Sequence, residues 1–106
     1  MQGEKAMTTE VSIHDKQVKV TLSGSIYVQD TAAILEKLLG FIDRGQTSFL
    51  IDLSAVDYMD SAGLGTLLAI HNRARKKGGG VSVKGLHGLV KELFTHARVD
   101  KVFAIV

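Results

Sequence analysis

From residue 30 onward the spacing of apolar residues switches back and forth between two periods, and this switching is the strongest constraint on the fold. Ile34, Leu35, Leu38, Leu39 and Ile42 recur at the spacing of a helix face. Ser48 to Leu53, SFLIDL, is short and nearly all apolar, the pattern of a central strand covered on both faces. Leu64, Leu67, Leu68 and Ala74 return to a helical stripe, and Val81-Ser82-Val83 to a short strand. Leu86 to Thr95 predicts a third helix with Leu86, Leu89, Val90, Leu93 and Phe94 inward, and Val102 to Ile105 a last strand. Strand-helix-strand units of this length join parallel strands by right-handed crossovers.

Ahead of this alternation, Val11 to His14 and Val18 to Leu22 place apolar residues at every second position, separated by Asp15-Lys16. That is a hairpin with one buried face, ended by Gly24. Asp30 and Thr31 can cap the first helix, and Gly45 after Arg44 can stop it. The expected architecture is therefore α/β: one domain with a mixed sheet, an antiparallel N-terminal hairpin and helices packed over it.

The length of 106 residues suits one domain, over residues 9–106, preceded by a flexible leader over 1–8. Hydrophobic residues make up 45% of the chain, enough for a packed core. The absence of cysteine removes disulfides and thiolate metal sites. A net charge of +2 is no footprint for nucleic acid or an anionic membrane, and no apolar run is long enough to span a bilayer. A cytoplasmic protein without cofactor, metal or direct membrane contact is the expectation, as a monomer or weak dimer.

The chemistry concentrates in YMDSAGLG, Tyr58 to Gly65, at a strand-to-helix turn. Ser61 can be an ordinary N-cap. A hydrolase elbow needs glycine where Met59 stands, and no histidine follows Asp100 to complete its triad. Gly63-Leu64-Gly65 has two glycines of a dinucleotide loop, but Leu68 occupies the third position. The remaining reading is a phosphorylated serine. A phosphate there would meet the helix's positive end, stand beside Asp60 with Asp57 close by, and repel a partner packed on the spot. Ala62, Gly63 and Gly65 would keep that surface low enough for close approach.

The segment Ile51 to Leu67, IDLSAVDYMDSAGLGTL, resembles the signature of STAS domains, specifically those of bacterial anti-sigma-factor antagonists. The resemblance extends through the hairpin ending at Leu22-Ser23-Gly24 and the closing VKELFTHARVDKVFAI. It implies a partner-switching protein and not an enzyme. The unphosphorylated form would bind an anti-sigma factor that is also a serine kinase. That kinase would phosphorylate Ser61 and be released, and a PP2C-type phosphatase would reverse the step. By the same resemblance Asp60 would position Ser61, while Gly63, Leu64 and Gly65 would form part of the docking surface. Tyr27 stands where the family commonly has aspartate, with Asp30 three residues later; both fall near the switch. Two other roles occur for free-standing STAS proteins: a scaffold component of a stress-signalling complex, and a subunit of a lipid-transport complex.

Asp52 is expected to orient the Ser61 turn or to close a turn of its own. The cluster Arg73, Arg75, Lys76 and Lys77 reads as a solvated helix end, and Phe94, Val99 and Phe103 as core. His71, His87 and His96 read as surface or core-edge residues.

Overall fold

The computed structural model describes residues 6–106, so most of the expected leader lies outside the described residues, and Thr8 already belongs to a strand. Strands β1 (Thr8–His14) and β2 (Gln17–Ile26) form the hairpin. Its two turn residues, Asp15 and Lys16, both have positive φ, 48° and 69°. That is the backbone sense of the tight turns that match strand twist.

Helix α1 (Val28–Asp43) leads to β3 (Ser48–Met59), α2 (Ser61–Lys76) to β4 (Gly80–Lys84), and α3 (Gly88–His96) through a short 3-10 turn to β5 (Ala104–Ile105). The sheet order is β1-β2-β3-β4-β5, with β2 through β5 parallel. Each crossover advances one strand in the same direction. Crossovers of one hand then put every helix on the same face.

Burial alternates accordingly. Val18, Val20 and Leu22 of β2, Phe49, Ile51 and Leu53 of β3, and Val81 and Val83 of β4 are buried beneath the helices. The intervening Lys19, Thr21, Leu50, Asp52 and Ser82 are only half-buried. The expectation that β3 is covered on both faces is thus corrected: Leu50 is apolar but lies on the uncovered side.

Three boundaries also differ from expectation. Strand β3 continues to Met59, because its backbone keeps pairing with β2 although Ser54, Ala55 and Asp57 interrupt the apolar run. Helix α3 starts at Gly88, leaving Leu86 in the preceding loop and turning Leu89 outward. The last strand shrinks to Ala104–Ile105, since Val99–Lys101 take the 3-10 turn; Phe94, Val99 and Phe103 do enter the core.

His71 is buried, not peripheral. Its Nδ1 accepts the Val81 N–H at 3.0 Å, and its ring packs against that of Phe103 at a steep angle, 68°. Burial, aided by the positive charge of Arg75, lowers its pKa below the usual imidazole value. No helix among the described residues is long and apolar enough to cross a membrane.

Candidate functional site

Parallel strands with helices on one face bring the N-termini of α1 and α2 to the same end of the sheet, beyond the C-terminal ends of β2 and β3. β4 stops pairing with β3 at the Asp52–Lys84 pair, while β3 runs on to Met59. This overhang carries Asp60 and Ser61 clear of the sheet. The Asp60 N–H donates to the Ile26 carbonyl at 3.2 Å, which ties the two strand ends together.

Asp60, not Ser61, caps α2. Its backbone is extended, with φ −88° and ψ 176°, and its Oδ1 accepts the Gly63 N–H at 3.1 Å. Its Oδ2 accepts the Val28 N–H at 3.0 Å. One carboxylate therefore holds the first turns of both helices. The expected cap of α1 by Asp30 and Thr31 is likewise corrected. Tyr27 is the capping position and lacks a side chain suited to it, so Asp30, at the third helical position, folds back to accept the Tyr27 N–H at 2.9 Å.

With the capping role taken by Asp60, Ser61 stands at the first position of α2, exposed to solvent. Among the described residues its hydroxyl makes no side-chain hydrogen bond. The hydroxyl is open to solvent at the start of the helix.

The glycines flanking the helix start differ in role. A Cβ on Gly63 would stand 2.7 Å from Met59 Cγ and 3.2 Å from Ile26 Cγ2, so this glycine admits the end of β3 beneath α2. A Cβ on Gly65 would meet nothing within 4 Å. Gly63 and Leu64 are buried and support the surface from below, whereas Ala62 is half-buried and Gly65 exposed. The place of Leu64 on a docking surface is therefore corrected: it sits on the core-facing stripe with Leu67.

Asp52 turns away from this site. Because β3 extends past it, Asp52 is mid-strand, and its Oδ1 accepts both the N–H and the hydroxyl of Ser54 at 2.9 and 2.7 Å. Its Oδ2 lies 3.9 Å from Lys84 Nζ. Burial alone would raise its pKa, but the Ser54 hydrogen bonds with Lys84 and Lys19 outweigh this and lower it. Its expected role in orienting the Ser61 turn gives way to this local one.

The structure also joins two residues that the sequence marked separately and adds one, Val28, that no motif marked. The Tyr27 and Tyr58 rings lie 5.3 Å apart, centroid to centroid, joining the ends of β2 and β3 across the surface. Val28 is 62% exposed at the start of α1. For Val28 the sequence carried no signal. No group of three His, Asp or Glu among the described residues could hold a metal ion. The arrangement suits recognition and modification of one hydroxyl.

Residues 9–106 match the family model described as Mlab, STAS domain. The anti-sigma-B factor antagonist of Bacillus subtilis is 28% identical over 88 residues, 83% of this chain and 80% of that protein. The crystal structure of an anti-sigma factor antagonist from Mycobacterium paratuberculosis superposes with a TM-score of 0.84 at 27% identity, covering 94% of this chain and 85% of that one. SpoIIAA, an anti-sigma factor antagonist in its unphosphorylated form, has the same fold, with a TM-score of 0.84 at 17% identity over 93% of this chain and 88% of its own. With its hairpin, its one-sided helical layer and its Asp60-Ser61 turn, the chain belongs to the STAS domain family.

Proposed function

We propose that the protein is an anti-sigma factor antagonist whose partner is an anti-sigma factor with serine kinase activity, and that phosphorylation of Ser61 dissociates the two. The single observation that carries this reading is the exposed Ser61 at the first position of α2, beside an Asp60 whose two oxygens are both engaged. The likeness to the antagonists of Bacillus subtilis and Mycobacterium paratuberculosis supports it from outside the site.

The physics of release follows from that position. A phosphate adds about −1.5 to −2 charge and three acceptor oxygens. The positive end of α2 compensates by only about 0.3–1 kcal/mol, so the folded domain tolerates it. A partner packed over Ser61 must instead strip water from that charge and from Asp60 beside it. A loss of about 2.8 kcal/mol already weakens a complex a hundredfold. A PP2C-type phosphatase resets the switch, and the antagonist itself performs no catalysis.

The test is a pull-down from the source organism's lysate with wild type, Ser61→Ala and Ser61→Asp, read by mass spectrometry. A soluble serine kinase retained by wild type and Ser61→Ala and lost with Ser61→Asp is the expected outcome. Recovery of the same membrane ATPase by all three, or of STAS relatives alone, would replace this reading with a transport or scaffold role.

A further inference from the structure

Ser61 is exposed, but the chain on either side of it is anchored in the domain. Two residues before it Met59 is buried, and Gly63 and Leu64 are buried soon after it. Asp60 is tied at three points. Its N–H donates to the Ile26 carbonyl at 3.2 Å, its Oδ1 accepts the Gly63 N–H at 3.1 Å, and its Oδ2 accepts the Val28 N–H at 3.0 Å. Drawing residues 59–64 into an extended strand would break these bonds and unwind the first turn of α2. It would also pull Met59 and Leu64 out of the core.

Reaching the hydroxyl requires none of this. Ser61 is open to solvent, and Gly65, one turn along α2, is exposed with open space where a Cβ would stand. In phosphorylation the terminal phosphorus of a nucleoside triphosphate bonds to Ser61 Oγ as its bond to the bridging oxygen breaks. The hydroxyl proton passes to a base of the kinase, and the nucleoside diphosphate leaves. The reacting atoms must come within about 3–3.5 Å, so the kinase covers the atoms around Ser61 while transfer lasts. The reaction itself thus determines what stands over this hydroxyl.

The fold places Val28 beside that spot. The hydrogen bond from the Val28 N–H to Asp60 spans 32 positions of chain and draws the start of α1 to the start of α2. Val28 is the first residue of α1, and its exposed side chain takes no part in the core. Asp60 differs: with both carboxylate oxygens engaged within the domain, it is a positioning residue that holds the two helix starts together.

We infer that the kinase reads Ser61 as part of a folded corner made by the starts of α1 and α2, and that Val28 is a specificity-determining residue of that corner. The inference rests on the antagonist reading and specifies the form in which its kinase takes the substrate. A linear segment around Ser61 then lacks half of what is recognised, because the other half comes from a distant segment.

The test uses the kinase recovered in the pull-down above, with ATP, and follows phosphate incorporation at Ser61. The substrates are the full chain as wild type, Val28→Ser and Val28→Ile, and a synthetic peptide of residues 54–68. The peptide should react with a kcat/KM below about one tenth of that of the full chain, since it must be ordered at the moment of binding. Val28→Ser should raise KM about threefold or more with kcat nearly unchanged, which is the mark of lost binding. Val28→Ile keeps an apolar side chain and should restore the wild-type KM. Circular dichroism and urea midpoints should match wild type, because valine and serine have similar helix propensities and residue 28 lies outside the core. A peptide that reacts within about tenfold of the full chain would show that the kinase reads local sequence, and would overturn the folded corner. An unchanged KM for Val28→Ser would overturn the role of Val28. Both of those results leave the antagonist reading standing, whereas a recovered kinase that does not phosphorylate wild type at all would overturn that reading and this inference together.

Discussion

The Asp60 carboxylate reaches the Val28 N–H across 32 positions of chain, so the side chain that caps α2 also closes the first turn of α1. The first backbone N–H groups of a helix have no partner within the helix, and here one residue serves two helices. The Ser61 turn is consequently fixed to the frame of the domain instead of swinging as a loop.

Removing this carboxylate should loosen both helix starts. Asp60→Ala is expected to lower stability by about 1–3 kcal/mol in urea unfolding, a lost cap plus a second lost charge-assisted hydrogen bond. Asp60→Asn offers one acceptor oxygen where two are used and should fall between. Amide hydrogen exchange discriminates the bridge from a simple cap: it should quicken at Val28 as well as at Gly63. Exchange unchanged at Val28 would refute the bridging role.

The two glycines after Ser61 should respond with opposite sign to the same substitution. Alanine is preferred over glycine within a helix by about 1 kcal/mol. At Gly65 nothing lies within 4 Å of the new methyl, so Gly65→Ala should stabilise by about 0.5–1 kcal/mol. At Gly63 the methyl meets Met59 Cγ at 2.7 Å and must displace a buried side chain. Overpacking of this kind costs about 1–3 kcal/mol, so Gly63→Ala should be net destabilising. Equal midpoints for the two variants would mean that Met59 does not pack as described.

Much of this geometry is written locally in the chain, and the parts that are not share a cause. The alternation of helical and strand periods around Ile34–Ile42 and Ser48–Leu53 is a property of neighbouring residues, and the α/β order follows from it. Asp60 and Ser61 stand out for the same reason. The end of β3 does not, because Ser54 to Met59 is held by backbone pairing with β2 and needs no apolar side chains. The open sheet face depends on the order and handedness of crossovers, so an apolar Leu50 misleads. His71 had a local signal: it falls four residues after Leu67 and three before Ala74, on the buried stripe. Its polarity conceals that, until the Val81 N–H supplies the partner that makes its burial tolerable. The pairing of Tyr27 with Tyr58 joins distant segments and leaves no trace in either alone.

That buried histidine should make stability pH-dependent. Nδ1 must be unprotonated to accept the Val81 N–H, and burial first, then the Arg75 charge, lower the folded-state pKa. In the unfolded chain histidine titrates near about 6.5. Below that value the unfolded state binds the extra proton and the folded state does not, so stability falls as pH drops from about 6.5 towards the lowered folded value. Above about 6.5 the contribution is fully present. His71→Asn keeps an acceptor at the Nδ1 position without titrating there, and should be less stable at neutral pH but flatter between about pH 7.5 and 5. Parallel pH profiles for the two proteins would show that Val81 does not depend on a neutral His71.

Charge at Ser61 should leave the fold nearly untouched even where it abolishes partner binding. Residue 61 is exposed and lies at the first position of α2, where the helix dipole favours an anion by about 0.3–1 kcal/mol. Repulsion from the adjacent Asp60 acts in the other direction and is screened by solvent. The two effects are of similar size, so Ser61→Asp should keep its urea midpoint within the equivalent of about 1 kcal/mol of wild type, with unchanged circular dichroism. Protein phosphorylated at Ser61 should behave alike, despite its larger charge. This separates two ways of losing a partner. A switch acting through the interface predicts lost binding by a fully folded domain, whereas a domain that unfolds on charging would lose every partner at once and could not be reset by removing the phosphate.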